Sequence, residues 1–314
     1  MIYVERPAPA GLEDAVSRLW LLEAPRVRRY EKILPLPFVH VIVNLSEPYA
    51  LYDRAGAPTR VSDAFVSGIQ HEYLIIESPP LIRHVGIELL PGGLGALTDV
   101  GGPAVAGRVQ GARAVVPGVD DLVGAVGAPP VRSDAAPAAA APIGSDRAAA
   151  PAAPASPSTA APVDPLRALD ALTAFVVDRA RGWSPDPVVQ HALRSLRDEP
   201  DLPIGDIART AGVAHRTLIA RFRAATGLTP RAFAQVDRFH RFVGAVHGAG
   251  GVPDWTALAG ASRYYDQPHV IRAFRRFCGW TPTEYHRRVA EFGPDAAHFV
   301  PLDELPGPLG QARS

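Results

Sequence analysis

Two stretches decide the fold: "GVAHRTLIARFRAATGLTP" at 212–230 and "YYDQPHVIRAFRRFCGWTP" at 264–282. With a shift of 52, Pro230 meets Pro282, Thr229 meets Thr281, Gly227 meets Gly279, Arg223 meets Arg275, Phe222 meets Phe274 and Ile219 meets Ile271. Upstream the shift becomes 51, so Ile207-Ala208 meets Leu258-Ala259, and the second copy has one extra residue in its turn. One structural unit is written twice. Each copy reads as a helix, a short turn and a second helix that stops at Gly227 or Gly279, after which Thr-Pro starts the next helix as N-cap and N1. That order is a helix-turn-helix.

On a helical wheel Leu218, Phe222 and Ala225 form one stripe of the second helix of copy one, and Val270, Phe274 and Phe277 that of copy two. These are expected to face inward. The opposite faces carry Arg216, Ala220 and Arg223 flanked by His215 and Ile219, and Pro268, Arg272 and Arg275 flanked by Gln267, His269, Ile271 and Arg276. Guanidinium groups suit phosphate oxygens and guanine edges, and a Gln side chain can pair with adenine. A solvated Arg-rich face is the plain alternative, and the duplication argues against it. Between the copies, Phe233, Val236, Phe239, Phe242, Val243 and Val246 recur at helical spacing, a core that fixes the units relative to each other.

Charge supports this reading. The 314-residue chain has formal net charge zero, yet residues 202–289 hold thirteen Arg against five acids and residues 1–127 hold eleven basic against fourteen acidic residues. A polyanion partner belongs to the basic third only. The abundance of Arg, Ala, Gly and Pro beside a single lysine, Lys32, reflects G+C-rich coding. One cysteine, Cys278, excludes an intrachain disulfide framework and a Cys-based zinc site, and suits a reducing compartment. No apolar run marks a signal peptide or a membrane span, so a cytoplasmic protein without membrane partners is expected.

The expected organisation has five parts. Residues 1–127 form a β-rich sensor or dimerisation domain, in which 38–45, 49–53, 64–69, 73–77 and 81–89 read as short strands of a small barrel or sandwich. Residues 128–165, an Ala/Pro tract with almost no large apolar side chain, form a disordered linker. Residues 166–198 are connecting helices, 199–290 the DNA-binding domain and 291–314 a tail. In the first strand Val39, Val41, Val43 and Leu45 share a core face, while Phe38, His40, Ile42 and Asn44 share a mixed face able to line an effector cavity.

The residues "IARTAGVAHRTLIARFRAATGLTP" and "LAGASRYYDQPHVIRAFRRFCGWTPTEY" resemble the double helix-turn-helix of the AraC/XylS family of bacterial transcription regulators. "LPLPFVHVIVNL", "FVSGIQ" and "VGIELLPGGLGALTDV" resemble the cupin-like sensor half of some members. The resemblance implies a multidomain chain, with a mostly-β cupin-like barrel or sandwich followed by an all-α domain with two helix-turn-helix motifs. It also implies two recognition helices in adjacent major grooves near promoters. Carried over position by position, His215, Arg216, Ile219 and Ala220, with Gln267, Pro268, His269, Ile271 and Arg272, face bases. Arg223, Arg275 and Arg276 serve phosphates. The implied partners are double-stranded DNA and, as candidates, a small-molecule effector, RNA polymerase and a second copy. The chain departs from the family in placing Ala214 where the first recognition helix usually begins with Ser, whereas Asp266 is a good cap. Copy two is therefore expected to be the stronger base reader and copy one its anchor.

Other chemistry finds less support. His40, His71 and His84 lie on or near strands without a His-x-His pair or telling carboxylate spacing, so partly buried histidines are expected rather than a metal site. "LLPGGLGAL" at 89–97 lacks the phosphate-loop pattern and reads as a turn. Cys278 reads as a small buried side chain. No catalytic residue and no cofactor is assigned. Two alternatives stay open beside an effector-modulated regulator: a metal-dependent cupin-type enzyme with a DNA-binding tail, and a constitutive DNA-binding adaptor.

Overall fold

A computed structural model describes residues 1–53, 55–127, 163–248, 253–264, 266–293 and 297–305. Its amino-terminal half is mostly β. Strands β1 (Ile2–Pro7), β2 (Val16–Pro25), β3 (Tyr30–Ile33), β4 (Val39–Asn44), β5 (Ala50–Tyr52), β6 (Pro58–Arg60), β7 (Ala64–Ser67), β8 (Leu74–Glu77), β9 (Leu81–Leu89) and β10 (Val109–Gly111) precede the helices, and β11 (Phe299–Leu302) follows them. They form two sheets, ordered β1-β2-β9-β4-β7-β10 and β11-β3-β8-β5-β6. Every pairing among the described residues is antiparallel.

Strand β4 shows how alternation builds the core. Val39, Val41, Val43 and the following Leu45 are all buried. They join Leu19 and Leu21 of β2 and Val85 and Ile87 of β9 in one cluster with Leu169, Leu172 and Val176 of α2 (Pro165–Arg179). Helix α1 (Val119–Val126) packs beside α2. The other face of the large sheet turns toward the small one, where Tyr49, just before β5, lies against the His84 ring of β9 at 4.8 Å between centroids.

The carboxy-terminal helices are α3 (Pro187–Asp198), α4 (Ile204–Thr210), α5 (His215–Thr226), α6 (Pro230–Gly248), α7 (Trp255–Ala261), α8 (Gln267–Phe277) and α9 (Pro282–Val289). Two Asp-Pro pairs start α2 and α3 alike: the carboxylates of Asp164 and Asp186 accept backbone N–H groups, and proline occupies N1, where no donor is needed. The two halves share one continuous apolar cluster. After α9 the tail returns to the small sheet, where Val300 pairs with Lys32 and Leu302 with Tyr30. Most of the expected linker, residues 128–162, lies outside the described residues.

Candidate DNA-binding surface

The two recognition helices are held by the stripes read from the wheel. Leu218 and Phe222 are buried in α5, and Val270, Phe274 and Phe277 in α8. Helix α6 supplies the aromatic seam between the units. Phe233 meets Phe222 at 5.7 Å between ring centroids, Phe239 meets Phe274 at 5.1 Å, and Phe242 meets Phe274 at 5.5 Å. Ala225 differs from the rest of its stripe. It is half-buried and lies near Gly92 of the amino-terminal half.

The caps follow the sequence closely. Gly227 and Gly279 adopt φ of 80° and 76°, the left-handed region where a Cβ is strained. Thr281 and Glu284 close a full capping box on α9. Asp266 accepts the His269 N–H at 2.8 Å, while Ala214 gives α5 no side-chain cap. Among the described residues the turns of the two units share a left-handed position, Gly212 at φ 69° in copy one and Arg263 at φ 58° in copy two, related by the same shift of 51. That equivalence was visible in the alignment, as a glycine facing a non-glycine.

The outward face is exposed at His215, Arg216, Ala220 and Arg223 in α5, and at Gln267, Pro268, Arg272, Arg275 and Arg276 in α8. Ile219 is half-exposed. His269 is also half-buried, its ring edge-on to Tyr264 at 5.2 Å, and half-buried Ile271 lines a groove with Trp255, Gln267 and Thr281. Arginine roles divide. Arg221 pairs with Asp186, the N-cap of α3, at 2.6 Å, buried Arg238 pairs with Asp201 at 2.5 Å, and Arg241 donates to the Arg197 carbonyl of α3 at 2.8 Å, so these hold separate elements together, while the Arg241–Asp237 pair at 3.0 Å lies within α6. Arg276 donates to Gln235 of α6 at 2.8 Å. Arg216, Arg223, Arg272 and Arg275 make no ion pair among the described residues, and they stand on the faces assigned to DNA.

The mixed face of β4 is less uniform than its sequence. Phe38 and Ile42 are half-buried, and Phe38 also meets His240 of α6 edge-on at 5.5 Å. Asn44 spends its side chain on the turn that follows, donating to the Glu47 carbonyl at 2.9 Å and accepting from the Ser46 N–H at 3.0 Å, so its amide serves the fold. Three buried polar atoms on or beside this face, His40 Nε2, His84 Nε2 and Tyr49 Oη, have no hydrogen-bond partner among the described residues. Burial pushes the His84 imidazole down to about 4 and the Glu31 carboxyl up to about 7. Among the described residues no cluster of His, Cys, Asp and Glu has metal-binding geometry, and no helix is long and apolar enough to cross a membrane.

Comparison with known proteins agrees with the carboxy-terminal geometry. Residues 207–288 match the helix-turn-helix domain family, and residues 4–108 match a domain of unknown function, DUF6597. Residues 207–288, which span both units, form an AraC-type helix-turn-helix domain, and that domain places the chain in the class of DNA-binding transcription regulators. Within that class the chain joins the AraC-type domain to a DUF6597 domain. No curated protein matches. Among solved structures, an apo variant of ToxT from Vibrio cholerae strain SCE256 is similar at 9% identity and TM-score 0.43, covering 90% of this chain and 99% of that one. Wild-type ToxT of the same strain bound to an unsaturated fatty acid gives 8%, 0.44, 90% and 96%. ToxT from Vibrio cholerae O395 bound to (E)-4-(8-methylnaphthalen-1-yl)but-3-enoic acid gives 9%, 0.45, 86% and 98%.

Proposed function

We propose that the chain reads a bipartite DNA site, with α5 and α8 entering successive major grooves on one side of the duplex, about 34 Å apart. The observation that carries this reading is the twofold arrangement itself. Each unit buries an apolar stripe and leaves on the other side an Arg-bearing face whose Arg216, Arg223, Arg272 and Arg275 make no ion pair among the described residues. Gln267 at the start and Arg272 in the middle of a well-capped α8, both exposed, are assigned to base edges, and His215 and Arg216 are assigned the same role in α5. Arg223, Arg275 and Arg276 are assigned to phosphates.

Quantitative binding to a duplex obtained by selection from random sequence tests the assignment. Arg272→Ala is expected to weaken the selected duplex by about 1–3 kcal/mol and to relax preference at one base pair, whereas Arg276→Ala weakens selected and random duplex alike. Equal losses on both duplexes for Arg272→Ala would remove Arg272 from the base-reading set.

We further propose that the face carrying Phe38, His40 and Ile42 receives a small-molecule effector. Half-buried apolar side chains beside the buried His84 and Tyr49 atoms that lack a hydrogen-bond partner among the described residues, with His40 Nε2 at 4.0 Å from the Glu88 carboxylate, support a compact ligand that combines apolar surface with hydrogen-bonding groups.

A further inference from the structure

Lys32 is the one lysine of the chain, and it is buried at 2% exposure. Its strand, β3, lies between β8 and β11, and the side chain leaves the small sheet toward the carboxy-terminal helices. The ammonium donates to the Cys278 carbonyl at 2.8 Å and lies 3.5 Å from the Trp280 ring centre and 4.0 Å from that of Tyr73. Cys278 is the C-cap of α8. A cation at a helix carboxy terminus meets the negative end of its dipole, and two aromatic faces replace part of the lost hydration. The Tyr73 ring also closes on the next residue, where a Cβ added to Gly279 would come within 2.8 Å of it.

The matching position of the first unit is gripped as well. Gly227 lies against the short 3₁₀ turn Gly102–Ala104, so close that a Cβ on Gly102 would sit 2.3 Å from the Gly227 nitrogen. A Cβ on Gly227 would in turn sit 2.4 Å from the Ala106 methyl and 2.6 Å from the Gly102 carbonyl oxygen. The amino-terminal half thus touches both recognition helices at the same repeat position, the left-handed glycine that ends each. Helix α6 holds each recognition helix along its buried stripe, and these second contacts hold the ends.

We infer that the amino-terminal domain is a brace that sets the placement of α8 relative to α5, and hence the number of base pairs between the two blocks the protein recognises, with Lys32 and Gly102 as positioning residues. The inference rests on the reading that both helices enter DNA. Lys32→Met keeps an apolar stem between the two rings and removes the donor to Cys278. Gly102→Ala leaves the lysine contact alone and drives a methyl into the backbone at Gly227. Because the two contacts lie on different parts of the amino-terminal half, one variant still decides the matter if the other fails to fold, as judged by circular dichroism and thermal melting.

The experiment is selection from random duplex DNA with the full-length wild type and both variants, reading the distance between enriched blocks. Wild type is expected to return one spacing. Each folded variant is expected to spread over neighbouring spacings, and its preference for the wild-type spacing over a duplex one base pair longer falls by about threefold to thirtyfold. Two enriched blocks with the same single spacing and undiminished preference in the folded variants overturn the brace. A wild type that enriches only one block overturns the two-helix reading, and the brace with it.

Discussion

Glu31→Gln is expected to make the protein lose stability more steeply on acidification. The alternation of β3 puts Glu31 on the opposite side of the strand from Lys32, and burial pushes its carboxyl from the ordinary 4.5 up to about 7. Between those values the native state holds a proton that the unfolded chain has released, so this group stabilises at pH 5 and stops doing so as pH rises toward 7. The difference is about 2 kcal/mol. His84 and His298 act in the other direction. Burial holds His84 down to about 4, and burial together with the adjacent His240 holds His298 down to about 3, against an ordinary value of 6.5. Below 6.5 the unfolded chain takes up protons that the native state refuses, and each histidine costs about 2 kcal/mol between pH 7 and pH 5. In wild type the glutamate offsets one histidine, and these groups leave a loss of about 2 kcal/mol. In the Gln variant the loss is about 4 kcal/mol. Urea denaturation at pH 7, 6 and 5, followed by tryptophan fluorescence, measures both slopes, and groups that the substitution leaves alone cancel in the comparison. Parallel profiles would refute the reasoning, because they would mean that Glu31 ionises as an ordinary exposed carboxyl.

Two further outcomes concern the helix-turn-helix units. Arg263→Gly should raise stability by about 1 kcal/mol by relieving the left-handed backbone at φ 58°; an unchanged or lower melting temperature would show that the turn carries no strain. Ala214→Ser supplies the missing acceptor at the start of α5 and should add about 1 kcal/mol. Chemical denaturation checks it, and no gain would mean that the first-turn N–H groups are already satisfied.

What was legible in the sequence was whatever local chemistry decides. The strands read at 38–45, 49–53, 73–77 and 81–89 appear within one residue of their observed ends, and 64–69 ends two residues sooner. Their β-branched runs stop at Pro, Gly or polar turns. Helix α5 begins and ends where the wheel and the glycine put it. The missed strands have physical reasons. Exposed β6 is three residues long and has no apolar alternation. Strand β11 contains Pro301 and takes its place by pairing with β3, which lies more than 260 residues earlier, and by burying Val300 in the core. Strand β2 is different: its buried Val16, Leu19 and Leu21 were a readable signal in "VSRLWLLEAP". On the candidate effector face, polarity made Asn44 look available, and only the folded chain shows its amide committed to a turn.

The junction between the halves depended on residues whose sequence signal was the weakest. Gly92 and Gly93 read as turn glycines and Gly102 drew no reading, yet Gly102 is needed because backbone meets backbone there at a distance that no side chain allows. Lys32 reads as the residue of a lysine-poor composition, yet its site suits an ammonium better than a guanidinium. A compact charge with rotatable donors fits between two ring faces and one carbonyl, whereas a planar fork would leave donors buried without acceptors. The two grips therefore differ in kind. The first unit is fixed by contact between backbones, which has no polar bond to lose, and the second by one hydrogen bond and two ring faces around a charge. Copy two also carries more hydrogen-bonding side chains on its outward face and has the better cap. On the proposed reading, the unit better suited to reading bases is thus the one held at its end by a polar contact, the Lys32–Cys278 bond, that a change in the amino-terminal domain can break.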